Sequence, residues 1–546
     1  MRIRLVPYVA VLCLAALPSI ARPDDAKKEK EAPVVVLRVR SLDGVLDDAR
    51  YLAALLGQEE PVKQFEAMIK KRSGKKGLEG FDTKKPIGLY GTPGPNGIDS
   101  TAVLMLPVKD TKAVLGMLEN LGVKTEKDDD GLYTVSHEKL DVPVFFRIEH
   151  HYAYVTFRDK DNLDKSKLLT PAEVLPPGHT GLISATMRID LLPEEVKEKV
   201  ISEFNLRLAD QRDQHFEGKG KIQKELGAQA EKELRARVKG LFNDGRELNL
   251  KIDLDRKAND LSIELTLDGK PGSKLAGAIA DLGKTTSLFA GLMGKDSAAS
   301  LLLSYTLPQR LRKTLAPAID DAINNILDKQ NDETRRSLTE KLLKVLAPSL
   351  KAGAIDAAID LRGPSSKKHY TLVAGIKLKN GKEVERTIKE IVKDLPEEIR
   401  DVIKLDAHKA GDVNIHGVEV DRFLDDAARE MFGEEPIYFA VRSNAIYLAA
   451  GENSLKAIKE ALDAKPGTTR MIHIDLSMAK LARLMARDNP DAPKAAEEAF
   501  GKEQEGDRIS ITLEGGKALK AKLSIKPMVL KFFRLLEEAK KDSDDK

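Results

Sequence analysis

The chain has almost no thiol chemistry and few large aromatic rings. It carries one cysteine, Cys13, no tryptophan, and aromatic residues at 5% of its 546 positions. Cys13 lies in an apolar run from Leu5 to Ile20 that follows Arg2 and Arg4 and ends in Ser19-Ile20-Ala21. A basic start, a short apolar core and small residues at a cleavage point describe a secretory signal peptide, with cleavage expected after Ala21. The run is short for a membrane span and Pro18 interrupts it. Leu12 precedes Cys13 where lipid attachment needs a small residue, so a lipid anchor is not expected. The mature chain would then have no disulfide, no thiolate zinc site and no cysteine nucleophile. Its fold must rest on its own core, which this length permits. The scarcity of aromatic rings argues against base-stacking surfaces.

Charge of one sign is also lacking. Lysine and arginine number 90 against 87 acidic residues, and removal of Arg2 and Arg4 leaves 88 against 87. The signs are interspersed, so nothing draws the chain to nucleic acid or an anionic membrane. The composition is that of a globular, well-solvated protein. Residues 24–31, "DDAKKEKE", and 540–546, "KKDSDDK", read as solvated tails.

What is present is a repeated order of units. A strand running into an amphipathic helix begins at 34, 181, 298 and 469. A hairpin followed by a helix occupies 86–122, 247–283, 354–395 and 508–541. In the second of these, Leu248, Leu250, Ile252 and Leu254 alternate with polar residues, as do Leu261, Ile263, Leu265 and Leu267, the period of half-buried antiparallel strands. A strand pair appears at 142–163 and 435–455. The order of units in the first half recurs in the second. The fold expected is α+β: two tandem homologous domains, each a mainly antiparallel sheet packed by amphipathic helices. Their bounds are 33–296, with a helical insertion at about 202–245, and 297–541, after a charged linker at 22–32 and before a polar tail at 542–546.

Candidate chemistry is sparse. "GAIADLGKTT" (277–286) imitates a phosphate loop, but five residues separate Gly277 from Gly283 and Ala278 fills a required glycine position. Beside "AVLGMLENLG" (113–122) it reads as a repeated helix end, with Gly122 and Gly283 as left-handed C-caps. "GLMGKDS" (291–297) fails likewise, with Phe289 in the glycine place, and "GLYGTPGPNG" (88–97) reads as a wide turn. The adjacent His150 and His151 would point to opposite faces of a strand. His473 and Asp475, two apart on a strand, share a face and form half a polar site, although Asp475 also sits just before Ser477, a helix N-cap. Asp190 is the counterpart of Asp475 in the first domain, with Arg188 in place of the histidine. The carboxylates of "DLDR" (253–256) and "DDD" (128–130) lie at turns, where aspartate serves locally. No nucleophile elbow is present. No cofactor or metal is expected.

"GLYGTPGPNG…STAVLMLPVKDTKAVLGMLENLG" and "YAYVTFRDKDNL", with the secretion signal and the cysteine-free, lysine-rich mature chain, resemble large exported bacterial proteins of uncharacterised, planctomycete-type families. That resemblance implies no activity, so no functional residue carries over. The function expected is an exported, non-catalytic binding or scaffolding protein of the cell envelope, periplasmic or secreted, whose partner is an unknown protein or an apolar ligand. The alternatives are a carrier or chaperone for an apolar ligand held between sheet and helices, and a hydrolase using dispersed carboxylates or His473 and Asp475.

Overall fold

Period-2 apolar alternation becomes antiparallel strands, as in β9 (Gly245–Asp255) and β10 (Asp260–Gly269). The computed structural model describes residues 32–544 except 73–77, 79, 95–99, 138–141, 177–180, 217–220, 295–296, 308 and 502–505. The expected signal peptide and most of the charged linker lie outside the described residues. Two compact units emerge, Met1–Leu206 with Lys239–Ala276, and Arg207–Val238 with Gly277–Lys546.

The first unit holds ten described strands: β1 (Val35–Val39), β2 (Ile87–Thr92), β3 (Thr101–Pro107), β4 (Lys124–Lys127), β5 (Leu132–Ser136), β6 (Val144–Glu149), β7 (Tyr152–Phe157), β8 (Ile183–Arg188), β9 (Gly245–Asp255) and β10 (Asp260–Gly269). All pair antiparallel, in the order β10-β9-β8-β1-β2-β3-β7-β6-β5-β4. Helices α1 (Leu42–Leu56) and α2 (Glu60–Arg72) follow β1, α3 (Thr111–Asn120) follows β3, and the long pair α4 (Glu194–Phe216) and α5 (Lys221–Asp244) joins β8 to β9. Ser41 caps α1 by accepting from the Gly44 N–H, and Gly57 ends it in left-handed backbone. Gly122, at φ 75°, is the left-handed residue just past α3.

Helix α6 (Lys274–Leu282) follows β10. The division between units falls inside it, at Ala276/Gly277, earlier than the 296/297 boundary read from the repeat. The outer part of the helical insertion, Arg207–Val238, counts with the second unit.

The second unit's main sheet has ten further described strands: β11 (Ala299–Thr306), β12 (Ala354–Arg362), β13 (Thr371–Lys377), β14 (Ile403–Ala410), β15 (Val413–Val418), β16 (Ile437–Arg442), β17 (Ala445–Gly451), β18 (Ile472–Ser477), β19 (Arg508–Glu514) and β20 (Leu519–Ile525). Their order is β20-β19-β18-β11-β12-β13-β17-β16-β15-β14, again wholly antiparallel. This is strand for strand the order of the first unit. Helices fall in matching places: α7 (Gln309–Asp328) and α8 (Glu333–Lys351) after β11, α9 (Gly381–Asp394) after β13, α10 (Ser454–Asp463) after β17, α11 (Met478–Met485) and α12 (Ala492–Phe500) between β18 and β19, and α13 (Pro527–Asp544) after β20. Residues 542–544, read from the sequence as polar tail, continue α13.

Each sheet buries one face. In the second unit Leu302, Ala358, Tyr447, Ala449 and Ala440 lie under Ala457, Ile458, Ala461 and Leu462 of α10 and under Phe289. Gly375 is glycine because the Phe289 ring lies on it, and a Cβ there would fall 2.4 Å from Phe289 Cε1. Phe289, which fills the glycine place of the false phosphate loop, is a fully buried core residue. In the first unit Val36, Tyr90, Met105 and Tyr154 pack under Leu163, Leu168, Leu169 and Val174.

Candidate functional site

The sequence-derived candidates do not converge. His473 and Asp475 lie on β18 and share a face, as alternation requires. Asp475 Oδ1 accepts from Arg508 Nη1 at 2.5 Å, and the same guanidinium nitrogen reaches the Ser297 carbonyl at 3.0 Å. Asp475 is therefore engaged away from the imidazole. Ser477 is an N-cap, accepting from the Lys480 N–H. Asp190 belongs to the first unit, exposed on the single 3-10 turn Ile189–Leu191.

His473 lines an open cavity of about 370 Å³ with Thr468, Thr469, Arg470, Glu514, Gly515, Leu282 and Gly283. Arg470 Nε is paired with Glu514 Oε2 at 3.0 Å. Burial lowers the His473 pKa below its ordinary value, Arg470 lowers it further, and Asp475 opposes them. The ring is thus neutral near pH 7. An imidazole without a hydrogen-bonded carboxylate and without a nucleophile beside it is half of a general base arrangement.

The end of α6, where the phosphate loop was rejected, corrects the sequence reading in one respect. Gly283 is not left-handed. It is glycine because the β19–β20 turn crosses it, and a Cβ on Gly283 would lie 2.5 Å from Gly516 Cα. A Cβ on Gly515 would lie 2.4 Å from both the Ile279 carbonyl oxygen and Leu282 Cβ. The Ile279 carbonyl accepts from both Gly283 N (3.3 Å) and Gly516 N (2.9 Å), so the turn satisfies the helix end.

Other polar sites are self-satisfied. His150 and His151 do not lie along a strand. They form the exposed β6–β7 turn, both with positive φ. Asp128 and Asp255 bind turn amides, as turn aspartates do. A second cavity, of about 380 Å³, gathers Lys367, His369, Gly433, Glu434, Glu435, Pro436 and Glu452. With Ser365 it superficially suggests a triad. Ser365 Oγ, however, bonds Glu452 Oε2 directly at 2.5 Å and accepts from the Lys367 and His369 amides. The hydroxyl bond and the nearby Lys367 and His369 hold Glu452 below its usual range. The carboxylate, not the imidazole, contacts the hydroxyl, so the order of groups is not that of a serine–histidine–carboxylate triad.

One cluster was not foreseen. Glu385 and Lys389, one turn apart on α9, meet Asp406 of β14 and His416 of β15. Lys389 Nζ lies 2.9 Å from Glu385 Oε1 and 2.8 Å from Asp406 Oδ1. Glu385, Asp406 and His416 approach closely enough to share a cation. The cation among them is the lysine ammonium. His416 Nδ1 accepts from the Asp406 N–H at 3.0 Å, so the ring proton is on Nε2, which offers no lone pair.

The largest unexplained feature is apolar. On the second sheet, the face opposite the covered one carries the row Ile511–Ile474–Leu301–Ile359–Ala374–Leu448 across six adjacent strands. Beside it runs Leu513–Ile472–Leu303–Ala357–Ile376–Ile446. No polar side chain interrupts either row. Helices cover this face in two places: Val384 and Ile388 of α9 and Val345 and Leu346 of α8 pack on Phe439, Val441 and Ile446, and α11, α12 and α13 pack on Leu476, Ile509 and Ile525, beyond the Ile511–Ile474 row. Leu301, Ile355, Ile359, Ile376, Leu448 and Ile511 remain 37–47% exposed. Scattered single apolar residues are ordinary on a protein surface, whereas a contiguous row of this kind is not. The first unit repeats the pattern with the row Leu265–Leu250–Ala185–Leu37–Leu89–Leu104.

Among the described residues no helix is long and apolar enough to cross a membrane. No family model, curated protein or solved structure matches the chain.

Proposed function

We propose that the chain is an exported, non-catalytic binding protein built from two homologous units, and that the open apolar face of the second sheet takes the hydrocarbon part of a lipid-like ligand. The observation that carries this reading is the pair of uninterrupted apolar rows. Every central strand there is paired on both sides, so no backbone amide is free to add a peptide strand. Only side-chain surface is offered, which suits a hydrocarbon chain. Six strands at about 4.8 Å spacing make a path of about 24 Å, the reach of a long extended acyl chain. Each methylene removed from water contributes about 0.8 kcal/mol. The surface is an open face rather than the enclosed cavity between sheet and helices considered from the sequence. The matching strand orders support the duplication. Export rests on the N-terminal sequence alone.

Titration with a fluorescent long-chain fatty acid, displaced by palmitate, tests the reading. Saturable binding is expected, weakened at least tenfold, or about 1.4 kcal/mol, by Ile359→Lys with Ile376→Lys. Ile399→Lys, at an exposed position off this face, is the control and leaves affinity unchanged. No binding, or equal binding by all variants, overturns it.

A further inference from the structure

His416 is fully buried beneath α9, its ring 4.8 Å from that of Phe439. Its Nδ1 accepts from the Asp406 N–H, which fixes the neutral ring with the proton on Nε2. Nε2 faces Glu385 Oε1 at 3.5 Å and makes no hydrogen bond. Asp406 occupies left-handed backbone, φ 52°, in a bulge where β14 and β15 lose register between Lys404 and His408. Non-glycine residues adopt that conformation at a cost, and here the backbone N–H is bound by the imidazole lone pair while the side chain is bound by Lys389.

We infer that His416 is a proton-operated latch: the neutral ring holds the Asp406 bulge of the edge strand β14 closed beside α9, and protonation releases it. A proton on Nδ1 would oppose the Asp406 N–H, donor to donor, and break that hydrogen bond. Of the charges facing the ring, the carboxylates favour the protonated, released state and the ammonium opposes it. From α9 these are Glu385 and Lys389, and from β14 Asp406, whose Oδ1 lies 3.7 Å from Nδ1. Two carboxylates face one ammonium, so an imidazolium completes a neutral quartet and gains Asp406 as acceptor once the backbone turns. Burial holds the ring's pKa below its ordinary value, against the pull of Asp406 and Glu385. The latch therefore trips on the acid side of about pH 6.5. Resting on the binding reading above, release would extend the open face towards Phe439, but the latch itself is tested without ligand.

The test is hydrogen exchange of the full chain, read by mass spectrometry at pH 7.5 and 5.0 and corrected for intrinsic rates. Peptides covering 403–410 are expected to lose protection at least tenfold at pH 5.0, while those of β12 do not. His416→Phe is expected to give the same low protection of 403–410 at both pH values. Should that variant fail to fold, Asp406→Asn, altering a half-exposed side chain, is expected to move the wild-type midpoint to lower pH. Unchanged wild-type protection, a pH response retained by His416→Phe, or an unmoved midpoint in Asp406→Asn overturns the latch. Absence of fatty-acid binding would defeat the binding reading and leave these exchange results standing.

Discussion

Leu301 and Leu302 are consecutive on β11 and point to opposite faces of one sheet, so truncating each reads the state of its face. Leu302 is 1% exposed, packed with Ala358 and Tyr447 under α10. Leu302→Ala leaves a cavity in that layer, at a cost of about 3–5 kcal/mol. Leu301 is 37% exposed and its pair partners Ile359 and Ile474 lie on the open face. Leu301→Ala removes carbon already partly in water and leaves no closed cavity, so its cost is about 1–1.5 kcal/mol. For a unit of this size each kcal/mol lowers the melting temperature by about 2–4 °C. Losses of about 6–20 °C for Leu302→Ala and about 2–6 °C for Leu301→Ala follow from these figures. Thermal melting followed by far-ultraviolet circular dichroism suits a chain without tryptophan. Equal losses for the two variants would refute the reasoning, because Leu301 would then be as enclosed as Leu302 and the face would not be open.

Two further outcomes follow from the same structure. Gly277 lies within α6, and a Cβ added there would meet nothing within 4 Å, whereas Gly515 is crossed by that helix's end. Gly277→Ala should stabilise by up to about 1 kcal/mol, and Gly515→Ala should destabilise by about 1–3 kcal/mol, both read as melting shifts. For His473, the folded ring has a depressed pKa, so the unfolded chain binds more protons below about pH 6.5. Its contribution to stability is complete above that pH and is lost as pH falls through the folded pKa. His473→Gln should flatten the fall in melting temperature between pH 7.5 and 5, and an unchanged slope would contradict the burial of this ring.

The repeat was legible because long strands such as β9 and β10 alternate cleanly, and because strand-to-helix passages such as Leu476-Ser477-Met478 carry a cap. The edge strands were not. β4 reads "KTEK", a charged sequence that suits a sheet edge and lacks alternation, and β14 reads "IKLDAHKA", charged and alternating only as far as His408. They complete the ten-strand order yet give a short period-2 signal or none. Gly122 obeyed the C-cap rule, but Gly283 answers to Gly515 and Gly516, a contact between segments far apart in the chain. Of the polar quartet only Glu385 and Lys389 share a readable helical spacing. Asp406 and His416 join them through a bulged hairpin that neither residue announces. β11 and β12 are rich in apolar residues on both faces, as in "ASLLLSYT" and "AIDAAIDLR". Which face is covered is decided by α10 and Phe289, elements distant in sequence, so the open face emerges only in three dimensions.

The central claim is that a hydrocarbon chain lies along Ile511, Ile474, Leu301, Ile359 and Leu448. Photo-crosslinking with a diazirine-bearing fatty acid, followed by peptide mapping, tests it most directly. Label is predicted on β11, β12, β13, β17, β18 and β19 at open-face residues, competed away by palmitate. Label scattered over the exposed helices, or unaffected by palmitate, would contradict the account.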